Sequence, residues 1–291
     1  MIKKHKVLLL FSGGLDSIIA LKTLQQQNLN IELLFFKLPF TNKTPLKKIK
    51  NTKLHIIDFT KPPLLQEYLE IIKLPKHGTG TAMNPCKDCK ILMLKKAKIL
   101  AEKIGAEIIA TGEVLSQRPM SQLEHQLKFI EKKADLENKI LRPLSAKLLL
   151  ETIYEKKKLI NKEKLLDISG RQRKIQIQLA KKYKIKYPSS GGGCLLCEKE
   201  YCKKLQALLK NKPLKKIKPQ DIQLLSMGRH FQDKGQIILG KNHQENLILE
   251  HLNKELKYNL IISTTPGPTA IFENKSDKKT AQELIKKYSK N

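Results

Sequence analysis

Residues 7–17 read Val7-Leu8-Leu9-Leu10-Phe11-Ser12-Gly13-Gly14-Leu15-Asp16-Ser17. An unbroken apolar run is what a strand covered on both faces looks like, and a helical pattern follows at 17–26. The two glycines between them let the backbone turn sharply and bring its N–H groups close to an anion. The helix that follows directs its positive dipole end at the same place. No Gly-Lys-Ser/Thr follows at Walker spacing, so the loop is not of that kind. Asp16 points instead to Mg²⁺ held against phosphate oxygens. An ordinary Gly-rich strand-to-helix turn is the bland alternative.

Working outward, apolar runs at 31–37, 54–59, 107–111 and 140–144 read as strands. Helical patterns at 64–72 and 85–104 alternate with them. That alternation predicts an α/β fold, a doubly wound parallel sheet. Such sheets bind ligands beyond the C-terminal ends of their strands, where Ser12–Asp16 and Thr111-Gly112-Glu113 both fall. Residues 148–186 look helical, and Tyr187-Pro-Ser-Ser-Gly-Gly-Gly breaks the pattern. After Pro219 it changes again: 236–240, 258–263 and 270–273 read as strands, with a final helix at 278–288. The expected division is 1–212 for the phosphate-loop domain and 213–291 for a small C-terminal α+β domain.

The chain has 291 residues and a formal charge of +30, from 57 basic and 27 acidic side chains. Such self-repulsion weakens a compact fold unless a polyanion answers it, which predicts a nucleic-acid partner. From Asp167 to Glu198 lie seven basic residues and no acid, and 203–218 adds seven lysines without one. Only five residues are arginine: Arg118, Arg142, Arg171, Arg173 and Arg229. A planar fork suits phosphate, so Arg118, Arg142, Arg171 and Arg173, with Lys174, are the expected RNA or phosphate contacts. No apolar run approaches the ~20 residues that span a bilayer, and the phosphate-loop strand begins almost at residue 1. Those features predict a cytoplasmic protein without membrane partners; oligomeric state is not readable.

Five cysteines stand at 86, 89, 194, 197 and 202. Asn84-Pro85-Cys86-Lys87-Asp88-Cys89 reads as a capped helix start carrying two thiols on one side of the first turn, where the dipole favours thiolates. Gly191-Gly192-Gly193-Cys194-Leu195-Leu196-Cys197 places further thiols on a glycine loop. The set allows a four-Cys zinc site, an iron–sulfur cluster, or sulfur carriers with one cysteine bearing a persulfide and another resolving it. Cys202 falls on a helix surface pattern and reads as an ordinary helical residue.

The loop at Ser12 resembles that of the PP-loop ATP pyrophosphatases, which split ATP between the α- and β-phosphates and adenylate a substrate oxygen. The Asn84–Cys89 motif, Ala110-Thr111-Gly112-Glu113 with Ser116-Gln117 and Ser121-Gln122, and Leu141-Arg142-Pro143-Leu144 are together similar to the tRNA thiouridine synthetase (tRNA sulfurtransferase) branch. This resemblance covers roughly residues 5–200. It implies ATP held by Ser12, Gly13, Gly14, Asp16, Ser17, Thr111 and Gly112 with Mg²⁺. Asp16, Cys89 and Cys194 become the catalytic residues, and Cys86, Cys89 and Cys194 the ligands of a [4Fe–4S] cluster, with zinc as the alternative. The implied partners are tRNA and a sulfur donor, either sulfide or a cysteine-desulfurase-derived persulfide. The stretch at 113–122 favours 4-thiouridine over 2-thiouridine. Two rivals remain: a PP-loop enzyme adenylating a small molecule beside structural zinc, and a non-catalytic RNA-binding protein.

Overall fold

The computed structural model describes residues 4–41, 49, 52–187, 193–231 and 236–289. Pro188–Ser190, Gly191 and Gly192 of the expected glycine break lie outside them.

Two compact units emerge from the contacts, one comprising Met1–Phe59 with Leu74–Cys194, the other Thr60–Lys73 with Leu195–Asn291. The division therefore falls at 194/195 instead of 212/213. Residues 195–212 belong with the C-terminal part because Tyr201, Cys202, Leu205, Leu208 and Leu209 bury one face of their helix there. Thr60–Lys73 joins the same unit, with Gln66 donating to the Ile217 carbonyl at 3.0 Å.

The first unit contains β1 (His5–Leu10), α1 (Leu15–Gln25), β2 (Leu29–Lys37) and β3 (Lys53–Asp58). The helix α2 (Leu64–Lys73) belongs to the second unit, and the chain returns with α3 (Cys86–Ile104), β4 (Ile108–Thr111), α4 (Glu124–Lys133), β5 (Ile140–Leu141), α5 (Ile153–Lys156) and α6 (Lys174–Lys182). The strands form one sheet in the order β3-β2-β1-β4-β5, parallel throughout. The expected doubly wound α/β sheet is thus present. Its strand order reverses between β1 and β4, the switch point where sheets of this kind bind ligands beyond the strand ends. Val7, Leu8 and Leu9 are fully buried because β1 is the central strand, covered on both faces. Each such side chain contributes about 1.5–3 kcal/mol of burial. Helix α1 is buried nearly all round, from Leu15 through Leu24, which is why it shows almost no amphipathic stripe.

Residues 148–186 do not form the long helix their composition suggests. They hold α5, two 3₁₀ turns and α6, joined by extended chain. Tertiary contacts override propensity there: Leu166 N–H donates to the Pro143 carbonyl and Ile168 N–H to the Leu144 carbonyl, at 2.9 and 2.8 Å. Ile160, Leu165 and Ile168 thereby enter the same core as β1 and α1. Helix α4 was not legible in the sequence; its Leu127 and Ile130 are buried amid charged neighbours.

The second unit adds α7 (Lys199–Asn211), α8 (Pro219–Leu224), β6 (Arg229–Phe231), β7 (Ile237–Leu239), α9 (His243–Leu256), β8 (Asn259–Ile261), β9 (Ala270–Phe272) and α10 (Lys278–Tyr288). Its sheet is antiparallel, in the order β6-β7-β9-β8, with α10 packed on one face and α9 on the other. Among the described residues no helix is long and apolar enough to cross a membrane.

Candidate active site

The turn after β1 has the geometry its sequence asks for. Gly13 has φ +71°, a left-handed conformation that a side chain would strain, and Gly14 is the N-cap of α1. Ser17 Oγ donates to the Gly14 carbonyl at 2.8 Å, and Ser12 Oγ donates to Ser17 Oγ at 3.4 Å. Asp16 stands in the first turn of α1, where the helix dipole favours its charge. Its Oδ2 accepts from Gln117 Nε2 and from Arg173 Nη2, each at 3.3 Å. Its Oδ1 is buried and has no hydrogen-bond partner among the described residues. An unsatisfied buried carboxylate oxygen costs about 1–3 kcal/mol, more when charged, and marks a position that a ligand or cation completes.

The second strand end comes to the same place. A Cβ on Gly112 would lie 2.7 Å from Ser17 Cα and 2.9 Å from Ser17 N, so only glycine lets the turn after β4 lie against the start of α1. Ser12, Gly13, Gly14, Asp16 and Ser17 are in this way gathered with Gly112, and Thr111 is buried beside it. The loop amides, the helix N-terminus and the unpartnered Asp16 oxygen fit a nucleotide triphosphate with Mg²⁺.

A buried charge network adjoins the turn after β4. Glu113 accepts from Lys90 Nζ on α3 at 3.1 Å and from Arg142 Nε at 3.3 Å, and Arg142 Nη1 also donates to Glu131 on α4. Burial alone would raise the Glu113 carboxyl, but the Lys90 and Arg142 cations outweigh it and hold it at about 2. Arg142 is only 4% exposed. The expectation that it contacts RNA is therefore corrected: both its neighbours are internal carboxylates, and it ties α4 to the turn after β4. Arg118, Arg171 and Lys174 are exposed, as surface contacts require. Arg173 is not extended into solvent but turned onto Asp16.

Helix α3 begins at Cys86, with Pro85 in the N-cap position and no side-chain cap. The buried Asn84 instead accepts from Ala82 N–H through Oδ1 and donates from Nδ2 to Cys86 Sγ at 3.4 Å. Asp88, between the two thiols in sequence, is buried and pairs with His77 through its ring and its backbone N–H. That pairing, with His77 edge-on to Phe129, pins the 74–85 loop to the helix. Cys86, Cys89 and Cys194 are half-buried, and Cys89 Sγ lies 3.9 Å from Met93 Sδ. Among the described residues no three His, Cys, Asp or Glu side chains gather as metal ligands. The cluster or zinc expected on Cys86, Cys89 and Cys194 thus has no three-ligand site among the described residues. Cys197 is exposed. Cys202, expected on a helix surface, is buried and directs its thiol to the Leu196 carbonyl at 3.3 Å.

Several known proteins are similar to this chain in sequence. Probable tRNA sulfurtransferases of Lysinibacillus sphaericus and Bacillus subtilis are 34% identical over 160 residues and 31% identical over 153. These matches take in 51% and 48% of this chain, and 36% and 35% of those proteins. A third, from Mycoplasmopsis synoviae, is 28% identical over 179 residues, 56% of this chain and 41% of that protein. The chain thus spans little more than a third of the length of the curated relatives it matches. A crystal structure of a 4-thiouridine synthetase–RNA complex with bound ATP aligns over 86% of this chain and 53% of its own, at TM-score 0.41 and 22% identity. The model of the thiamine biosynthesis protein (ThiI) family matches residues 3–169, which contain both strand-end turns, the Asn84–Cys89 motif and the Glu113–Arg142 network. With more than half of its length inside that match, the chain belongs to the ThiI family.

Proposed function

We propose that this chain is an ATP-dependent tRNA sulfurtransferase, replacing a uridine carbonyl oxygen with sulfur and releasing AMP and pyrophosphate. The observation that carries the reading is Asp16: a carboxylate at a helix N-terminus, beside a glycine loop, with one oxygen oriented by two donors and the other buried and unpartnered. Family membership and the names of the relatives supply the substrate class.

A uracil carbonyl is a poor electrophile without a leaving group. The Ser12–Ser17 loop, Thr111 and Gly112 hold ATP, and Asp16 would hold Mg²⁺, which neutralises charge on the phosphates. The carbonyl oxygen attacks the α-phosphorus and pyrophosphate departs, so the oxygen leaves later as AMP. The sulfur nucleophile is a persulfide on Cys89, charged by a desulfurase-derived persulfide donor. Its terminal sulfur attacks the activated carbon, the C–O bond to AMP breaks, and a base–S–S–Cys89 disulfide forms. Cys86, one helical turn back, attacks the Cys89 sulfur; the thiocarbonyl leaves and a Cys86–Cys89 disulfide remains for a thiol reductant. Exposed Arg118, Arg171 and Lys174 contact the RNA backbone, and the lysine-rich C-terminal unit supplies further RNA affinity. The 4-position is the proposed target, on the likeness at 113–122.

The test combines pyrophosphate release with nucleoside mass spectrometry of a tRNA transcript. Wild type should yield thiouridine, Asp16→Asn neither product, and Cys89→Ser pyrophosphate without thiouridine. Thiouridine formation by Cys89→Ser at the wild-type rate would sink the sulfur route, and Cys194→Ser reports whether the third thiol takes part. Failure of the wild type to release pyrophosphate with any tRNA, while adenylating a small molecule, would favour the small-molecule rival.

A further inference from the structure

The RNA expectation placed Arg173 among the backbone contacts, and it lies four residues beyond the segment that the family model matches. Its surroundings are those of an interior residue of the site. The chain leading to it is stitched to both strand ends: Ser145 Oγ donates to the Ile168 carbonyl at 2.6 Å, Leu115 N–H donates to Ser145 Oγ at 2.9 Å, and Gly170 N–H donates to the Leu115 carbonyl at 2.8 Å. Leu115 and Ser169 pair as an isolated parallel bridge. Arg173 thus starts α6 from a backbone held in place by the turns after β4 and β5. Helix α6 is itself fixed on α1, with Ala180 in the shared core and Tyr183 Oη accepting from Gln26 Nε2 at 2.8 Å. From that base the side chain, 35% exposed, reaches Asp16 Oδ2 at 3.3 Å.

We infer that Arg173 is a nucleotide-site residue, positioning Asp16 and offering its remaining donors to the triphosphate, and is not an RNA contact. The inference rests on the ATP reading above. Arg173 and Gln117 meet the same oxygen of Asp16, which orients the carboxylate and leaves Oδ1 for the site's ligand. A guanidinium carries five N–H donors in a rigid plane, and Nη2 alone is engaged by Asp16 among the described residues. The rest of the fork suits adjacent phosphate oxygens, where an ammonium would supply charge without the geometry. Arg171 and Lys174, two residues before and one after, are exposed, so the basic segment divides its labour.

The experiment titrates full-length protein with three probes: the Mg²⁺ complex of the non-hydrolysable ATP analogue bridged by methylene between the α- and β-phosphates, AMP, and an unmodified tRNA transcript. Arg173→Gln should weaken the triphosphate analogue about tenfold or more, the loss expected for one charge-assisted contact. AMP and tRNA should change less than about threefold. Arg173→Lys should recover part of the triphosphate affinity, which a merely structural role would not produce, and it stands in if Arg173→Gln fails to fold. Arg171→Gln should weaken the tRNA transcript. Triphosphate affinity of Arg173→Gln within twofold of wild type, or a tRNA loss as large as that of Arg171→Gln, would overturn the inference alone. Absence of analogue binding by the wild type would overturn the ATP reading with it.

Discussion

Glu113→Gln is the most informative single change. It removes one negative charge from a network in which Arg142 is 4% and Glu113 7% exposed, and leaves Arg142 facing Glu131 alone while Lys90 loses its partner. Breaking a buried pair from one side costs about 3–5 kcal/mol, because the remaining charge stays desolvated. The carboxyl's descent from 4.5 to about 2 gives a second route to the size, about 3 kcal/mol. The sign follows from linkage: a carboxyl depressed in the folded state stabilises fully above about 4.5, and that contribution is lost as pH falls through about 2. In a unit of this size the substitution should lower the melting temperature by roughly 6–20 °C at pH 7. Calorimetry of the full chain from pH 7 to pH 2 reads both effects, and the wild-type-to-variant gap should close at the acid end. A double-mutant cycle with Arg142→Met isolates the pair, with an expected coupling above ~1.5 kcal/mol. A gap below about 0.5 kcal/mol at pH 7, or one independent of pH, would refute the reasoning.

Gly112→Ala must push backbone away from Ser17, and should raise the ATP KM at least about tenfold while costing ~1–3 kcal/mol in stability; nucleotide titration and thermal unfolding check the two together. Burial and the neighbouring Lys204 charge hold His230 down at about 4, so between about 4 and 6.5 the unfolded chain binds the extra proton. The C-terminal unit should therefore lose about 3 kcal/mol as pH falls across that window, and His230→Gln should flatten the curve. Lys212→Met removes the cation paired with Asp221, which is 3% exposed and otherwise accepts only from Tyr258 and the Lys218 N–H among the described residues, and should destabilise the same unit by about 3–5 kcal/mol in urea unfolding. Cys202→Ser should cost stability through its buried contact with the Leu196 carbonyl and leave thiouridine yield unchanged.

Residues 7–17 already determined the central strand, the glycine turn and the helix start, because a doubly buried strand and a left-handed Gly13 are local demands that local sequence must meet. The alternation that follows likewise determined a parallel sheet and put Thr111-Gly112 on the same edge as Asp16. Helix α4 was illegible because its two buried apolar residues stand in a charged segment whose buried Glu131 is answered by Arg142, a partner distant in sequence. The broken course of 148–186 was illegible for a related reason: its hydrogen bonds go to Pro143 and Leu144, partners that helical periodicity does not report. Arginine identity announced a fork but not its target. Arg142, Arg171 and Arg173 look alike in sequence; tertiary structure sends the first into a carboxylate network, leaves the second in solvent and turns the third onto Asp16. Charge pairing acts over a few ångströms in space between residues 29 and 157 positions apart in the chain, so only the folded neighbourhood decides which cation serves which anion.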